Sequence, residues 1–178
     1  MTLKKPEPLN KDHNLADFKC NYPELDEWLK KYAFQAKMSG SANTFIVADN
    51  ALVVGFYSLT VGQVDVDEAS ERIKKGMGKY PIPVVILARL AVLNTYQGKG
   101  IGKAMLKDAI LKTLQIAEQS GVRALLVHAI DEKAETFYKR FGFEPSPIRG
   151  NQLLLLLKDA RKAVSEQQST NDKLEKSD

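Results

Sequence analysis

The stretch that most constrains this chain is Val92-Leu93-Asn94-Thr95-Tyr96-Gln97-Gly98-Lys99-Gly100-Ile101-Gly102-Lys103. Before it, Val84 to Leu93 is nearly all apolar and predicts a central strand buried on both faces. Arg89 interrupts that run, and an arginine is seldom buried without a paired group, so an opening or bulge is expected there. After it, Ile101, Ala104, Met105, Ile110, Leu111, Leu114 and Ala117 line one side of a helix. Lys103, Lys107, Asp108, Lys112 and Glu118 lie mostly on the other, and Ser120-Gly121 closes the element. Glycines 98, 100 and 102 let the connecting backbone turn tightly and bring its N–H groups close to a ligand, because no Cβ stands in the way. The first N–H groups of the helix lack partners, so turn and helix start together suit a phosphate or pyrophosphate.

Two known glycine motifs fail on these residues. A Walker A loop would need glycine at Gln97 and a magnesium-binding hydroxyl at Ala104. The dinucleotide fingerprint, started at Gly98 or Gly100, puts Lys103 or Met105 where its last glycine belongs. The pattern that fits is Q-x-x-G-x-G, carried by Gln97, Gly100 and Gly102. On this stretch alone, a glycine-rich turn with no ligand is the alternative.

The chain has 178 residues, enough for one domain with a real core. No apolar run approaches the roughly 18 residues of a membrane span; Leu153 to Leu157, five leucines, is as long as any. Met1-Thr2-Leu3-Lys4-Lys5-Pro6-Glu7 lacks an apolar signal-peptide core, so a cytoplasmic protein is expected. The single cysteine, Cys20, excludes an internal disulfide framework, and with two histidines a Cys/His metal site is not expected. Net charge is +4, but the tail from Glu166 sets four carboxylates against two lysines and carries −2, leaving +6 on residues 1–165. A basic body suits an anionic cofactor or nucleic acid.

Along the chain, Pro6 and Pro8 limit the N-terminus to a short edge strand. Leu15 to Cys20 reads as a short helix or turn. Leu25, Trp28, Leu29, Tyr32 and Ala36 predict one amphipathic helix, with Pro23 in its first turn and Gly40 past its end. Thr44–Ala48 and Ala51–Val61 read as a hairpin turning at Asp49-Asn50. Asp65 to Lys79 is polar and basic, predicting a short helix and a mobile loop. Arg123 to Ile130 reads as a strand; Asp131 can cap the next helix, which carries Ala134, Phe137, Tyr138 and Phe141 and stops at Gly142. Phe143 and Leu153–Leu157 supply the last strands. The expected fold is one mixed α/β sheet flanked by helices over residues 1–164, with a disordered polar tail over 165–178.

The Q-x-x-G-x-G loop followed by A-x-x-F-Y-x-x-x-G-F over Ala134 to Phe143 resembles the GCN5-related N-acetyltransferases (GNAT family). Further stretches are similar to the toxin branch of that family: Phe18-Lys19-Cys20 with Leu25-Asp26-Glu27-Trp28-Leu29, then Ile82 to Val92, then Gly121 to Ala129. The resemblance implies a GNAT fold holding acetyl-CoA in a cleft between splayed strands. It implies acetylation of the amino acid on charged tRNA, arrest of translation, and neutralisation by a ribbon-helix-helix antitoxin. A homodimer stays open. Lys99 stands where arginine is common, keeping the charge but losing a bidentate grip. Leu93-Asn94 replaces an aspartate often found after the valine, and Asn21 replaces a glycine after the cysteine.

From the same resemblance, backbone groups of Leu90, Ala91 and Val92 are expected to pair with the pantetheine arm. N–H groups of Gln97, Gly98, Lys99, Gly100, Ile101 and Gly102 would hold the pyrophosphate, with charge from Lys99 and Lys103. Tyr138 is the candidate acid, since a phenol of pKa about 10 keeps its proton at neutral pH. No conspicuous base appears: His128 reads either as a relay or as a satisfied strand histidine, and Cys20 as structural. Arg72, Lys74, Lys75, Lys79, Arg89 and Arg149 are the cations expected around the nucleic acid. Two other readings stand beside the toxin: a GNAT enzyme acting on a small amine or protein amino group, and a non-catalytic coenzyme A-binding module.

Overall fold

The computed structural model describes residues 2–175. Seven strands belong to one mixed sheet flanked by helices, the architecture expected from the sequence. By compactness the chain falls into two units, residues 1–61 with 86–112, and residues 62–85 with 113 onward.

The first unit is built on a meander. Strand β1 (Glu7–Pro8) pairs antiparallel with β2 (Asn43–Asp49), and β2 with β3 (Leu52–Val64). Pro8 sits on the edge strand, where its missing N–H costs no ladder bond. The hairpin closes one residue later than the sequence suggests: Asp49 pairs with Leu52, and Asn50 adopts φ +54°, a conformation asparagine tolerates. The predicted single helix is two, α1 (Pro23–Lys31) and α2 (Ala33–Ser39), because Tyr32 leaves the helical φ at −119°. Gly40 ends α2 in the left-handed conformation, as its position implied.

Helix α4 (Ile101–Gln119) lays Ile101, Met105, Leu106 and Ala109 into this unit's core, all 3% exposed or less. Gly55 on β3 permits that approach, since a Cβ there would stand 3.0 Å from the Met105 Sδ and Cε atoms. Phe56 anchors the other side, edge-on to Phe18 and stacked with Trp28 of α1. Asp108 and Lys112, read from sequence as outward-facing, are engaged: Asp108 accepts from the Tyr57 hydroxyl and the Lys112 ammonium, and Lys112 lies 4.4 Å over the Phe45 ring. Strand β4 (Ile82–Val92) is not buried on both faces throughout; Ala88, Arg89 and Leu90 are half-buried.

In the second unit, β5 (Ala124–His128) and β7 (Gln152–Leu156) pair antiparallel, with β6 (Glu144–Pro145) on the far side of β7. Leucines 153–156 are 4% exposed or less, and Leu157 opens α6 (Leu157–Glu175) instead of extending the strand. Helix α5 (Glu132–Lys139) begins at Asp131, whose carboxylate accepts the Ala134 N–H at 2.8 Å. The short α3 (Glu71–Lys74) is fastened from three directions. Arg72 reaches both oxygens of Asp159 at 2.8 Å and Glu144 at 3.0 Å. The Ser70 hydroxyl donates to Glu144 at 3.1 Å, and the Arg123 guanidinium donates to the carbonyls of Ile73, Lys75 and Arg72.

Where a disordered tail is expected from Ser165, the structure continues α6 to Glu175. The segment is poor in apolar residues but rich in helix formers, and Ser165 and Thr170 return their hydroxyls to the carbonyls four residues earlier. The last three residues of that expectation lie outside the described residues.

Candidate functional site

In the first unit, β4 ends at Val92, one turn of 3₁₀ helix spans Asn94–Tyr96, and the glycine stretch enters α4 at Ile101. Gly98 and Gly100 have φ of +76° and +83°, and a Cβ on either would meet nothing within 4 Å. Backbone conformation, not crowding, therefore demands glycine here, and the space beside the loop is open. The Ala104 N–H donates to the Gly100 carbonyl at 3.0 Å as the first bond of the helix. The N–H groups of Ile101, Gly102 and Lys103 precede that bond and have no partner within the helix. With the exposed ammonium-bearing Lys99 and Lys103 alongside, this geometry fits a diphosphate.

Gln97 does something the sequence did not reveal. Its side-chain amide donates to the Cys20 carbonyl at 3.0 Å and to the Val92 carbonyl at 3.1 Å, and its main-chain N–H points to the Asn94 carbonyl at 3.4 Å. It ties the loop to the segment before α1, where the Asn94 N–H also donates to the Lys19 carbonyl at 2.8 Å. On the other side the Tyr96 hydroxyl donates to Asp49 at 2.8 Å, and the Lys99 ammonium rests 4.7 Å over the Tyr96 ring.

Of the expected pantetheine strand, Ala91 is buried and Leu90 and Val92 half-buried. Arg89 packs its guanidinium 3.9 Å over the Trp28 ring, and burial pushes its pKa down. Cys20 is 1% exposed; burial, reinforced by the neighbouring Asp26 carboxylate, pushes the thiol up to about 12. A thiol so buried and so weakly acidic is a poor nucleophile, in keeping with a structural role. Asn21 takes φ +73°, filling in left-handed backbone the place where a glycine was expected.

In the second unit, Tyr138 is 8% exposed on α5, with Phe137 and Phe143 edge-on at 5.2 and 5.4 Å. Burial pushes its phenol well above the usual tyrosine value, so it keeps its proton at any physiological pH. His128 is exposed at the end of β5, its Nε2 3.1 Å from Gln152 Oε1, a strand histidine with a side-chain partner. Four of the six cations expected at the nucleic acid have partners. Arg72 holds Glu144 and Asp159; Arg149 pairs with the nearly buried Glu68; Lys74 lies 2.8 Å from Glu71; Arg89 stacks on Trp28. Lys75 and Lys79 are exposed on the loop that contains Gly76 and Gly78. Among the described residues, no group of three or more His, Cys, Asp or Glu could hold a metal, and no helix is long and apolar enough to cross a membrane.

The family model described as "Acetyltransferase (GNAT) domain" matches residues 41–145, from β2 to β6 and including the glycine loop and Tyr138. A "tRNA-acetylating toxin" of Mycobacterium tuberculosis is 38% identical over 161 residues, spanning 90% of this chain and 96% of that protein. Among solved structures, AtaT complexed with acetyl-methionyl-tRNAfMet superposes with a TM-score of 0.85 at 26% identity, covering 92% of this chain and 99% of that one. A tyrosine-to-phenylalanine mutant of the AtaT toxin, bound to the C-terminus of the antitoxin AtaR and acetyl-CoA, gives a TM-score of 0.76 at 26% identity, covering 89% and 96%. Matched by the family domain over more than half its length, and by a relative over nearly all of it, this chain belongs to the GNAT family of acetyltransferases and is an acetyl-CoA-dependent enzyme.

Proposed function

We propose that this enzyme transfers the acetyl group of acetyl-CoA to the α-amino group of an aminoacyl-tRNA, and so acts in the cytoplasm as the translation-blocking toxin of a toxin–antitoxin pair. The observation that carries this reading is the 38% identity to a tRNA-acetylating toxin, which spans both proteins almost end to end. The AtaT complex with an acetylated aminoacyl-tRNA supports it from the side of structure. AtaR bound to AtaT supports an antitoxin partner, for which a ribbon-helix-helix protein is the proposed class.

Acetyl-CoA supplies an acyl carbon activated as a thioester. Main-chain groups of Leu90, Ala91 and Val92 are the proposed holders of its pantetheine arm. The N–H groups from Gly98 to Gly102, with the charges of Lys99 and Lys103, are the proposed holders of its diphosphate. An N–H at Ala91 would donate to the thioester oxygen as negative charge develops there. The substrate amine has a pKa near about 8, so a usable neutral fraction exists without a dedicated base. Its nitrogen bonds to the acyl carbon and the carbon–sulfur bond breaks. Tyr138 gives its phenolic proton to the departing sulfur, and the proton shed by the nitrogen returns to the phenolate through solvent.

The test is incubation of the protein with labelled acetyl-CoA and total charged tRNA, with deacylated tRNA as control. Label confined to the charged sample is expected; label absent from it overturns the reading. Tyr138→Phe should lower kcat by about 10²-fold or more with acetyl-CoA affinity unchanged, and retained activity would remove the acid role. The sign of the pH dependence follows from both groups. The rate should rise through about pH 8 as the amine deprotonates, then hold level past pH 10 or so, because a phenol with a raised pKa keeps its proton there.

A further inference from the structure

We infer that Asp49, acting through Tyr96, is a positioning residue for the glycine loop and thereby for the acetyl donor. Neither residue belongs to the Q-x-x-G-x-G pattern. Asp49 ends β2, one residue before the hairpin turn, and is half-buried. Both of its oxygens are used: Oδ1 accepts the Thr2 N–H and Oδ2 the Tyr96 hydroxyl, each at 2.8 Å and each from a residue 47 positions away. Tyr96 is the last residue before Gln97, and its ring carries the Lys99 ammonium at 4.7 Å. A chain of contacts thus runs from the hairpin end, through a phenol, to a cation of the loop.

A carboxylate beside an anion-binding loop needs a reason, since bare negative charge there would repel the ligand. That charge is not bare: its two donors, Thr2 first and then Tyr96, with the nearby Lys99, stabilise it and hold the Asp49 carboxyl below the usual carboxylate range. What is left is a strong, directional acceptor for one hydroxyl. Gln97 braces the loop toward Cys20, and Asp49 braces it toward the hairpin. Held from both sides, Gly98 to Lys103 would meet the diphosphate already in shape, so less conformational freedom is lost on binding. The inference rests on the loop being the acetyl-CoA loop and is independent of which amine is acetylated.

The decisive variant is Tyr96→Phe, which keeps the ring under Lys99 and removes only the hydroxyl; Asp49→Ala and the double variant complete a cycle. Calorimetry with acetyl-CoA alone, on the full chain, reads the affinity, and thermal melts confirm folding. Each single variant is expected to raise Kd and KM for acetyl-CoA about fivefold, as loss of one part-exposed hydrogen bond gives. The double variant should be no weaker than Asp49→Ala, and kcat at saturating acetyl-CoA should stay within about twofold. Unchanged affinity in folded Tyr96→Phe overturns the inference, as do losses that multiply in the double variant. Wild-type protein that binds acetyl-CoA but leaves charged tRNA unmodified overturns the tRNA reading only, since no tRNA enters the calorimetry.

Discussion

Two loops of this molecule look alike in sequence and differ in what they can hold. Gln97 to Lys103 and Lys74 to Lys79 are both rich in lysine and glycine, and each has two glycines at positive φ, 98 and 100 in the first, 76 and 78 in the second. The first enters a 19-residue helix by its N-terminus, where main-chain N–H groups lack helical partners. The second leaves a four-residue helix by its C-terminus, where carbonyls are exposed, and Arg123 comes to meet them. Composition marks both as basic and flexible. Backbone polarity separates them: one end of a helix invites anions and the other invites cations.

The widest separation is expected at the glycines. Gly100→Val forces a β-branched residue into φ +83° and should weaken acetyl-CoA binding by about tenfold or more, whereas Gly78→Val should leave it unchanged. Equal losses in calorimetry would break the contrast. Next come the lysines. Removing Lys99 and Lys103 together should raise KM for acetyl-CoA by about fivefold. At the second loop only the exposed side chains can meet an anion: removing Lys75 and Lys79 together should raise KM for charged tRNA by a similar factor of about five and flatten its salt dependence. A crossed result would reverse the assignment of the two loops. The smallest effect is structural: Arg123→Ala should lower the melting midpoint by about 2–4 °C, with acetyl-CoA affinity intact.

What could be read from sequence was whatever is written locally. The hairpin, the edge proline, the Asp131 cap and the glycine turn each depend on residues within a few positions, and each forms. The break at Tyr32 gave no such signal, because the apolar spacing continues straight through it. The part of helix α6 beyond Ser165 was missed for the opposite reason: a segment poor in apolar residues looks disordered even when its own residues favour helix. The braces of the loop were illegible in principle, since Gln97 finds Cys20 at 77 positions and Tyr96 finds Asp49 at 47. The same holds for Arg72, whose partners Glu144 and Asp159 lie 72 and 87 positions on. A basic residue in a sequence announces charge; only the fold says whether a carboxylate has already claimed it.

The lone cysteine carries a practical consequence. A thiol sealed in this way has almost no thiolate at neutral pH, so peroxide and alkylating reagents should pass it by. A second cysteine placed on the surface would then be the one group that maleimide dyes find. Fluorophores could be attached beside either loop without first mutating Cys20, and the arrival of each substrate followed by its own colour.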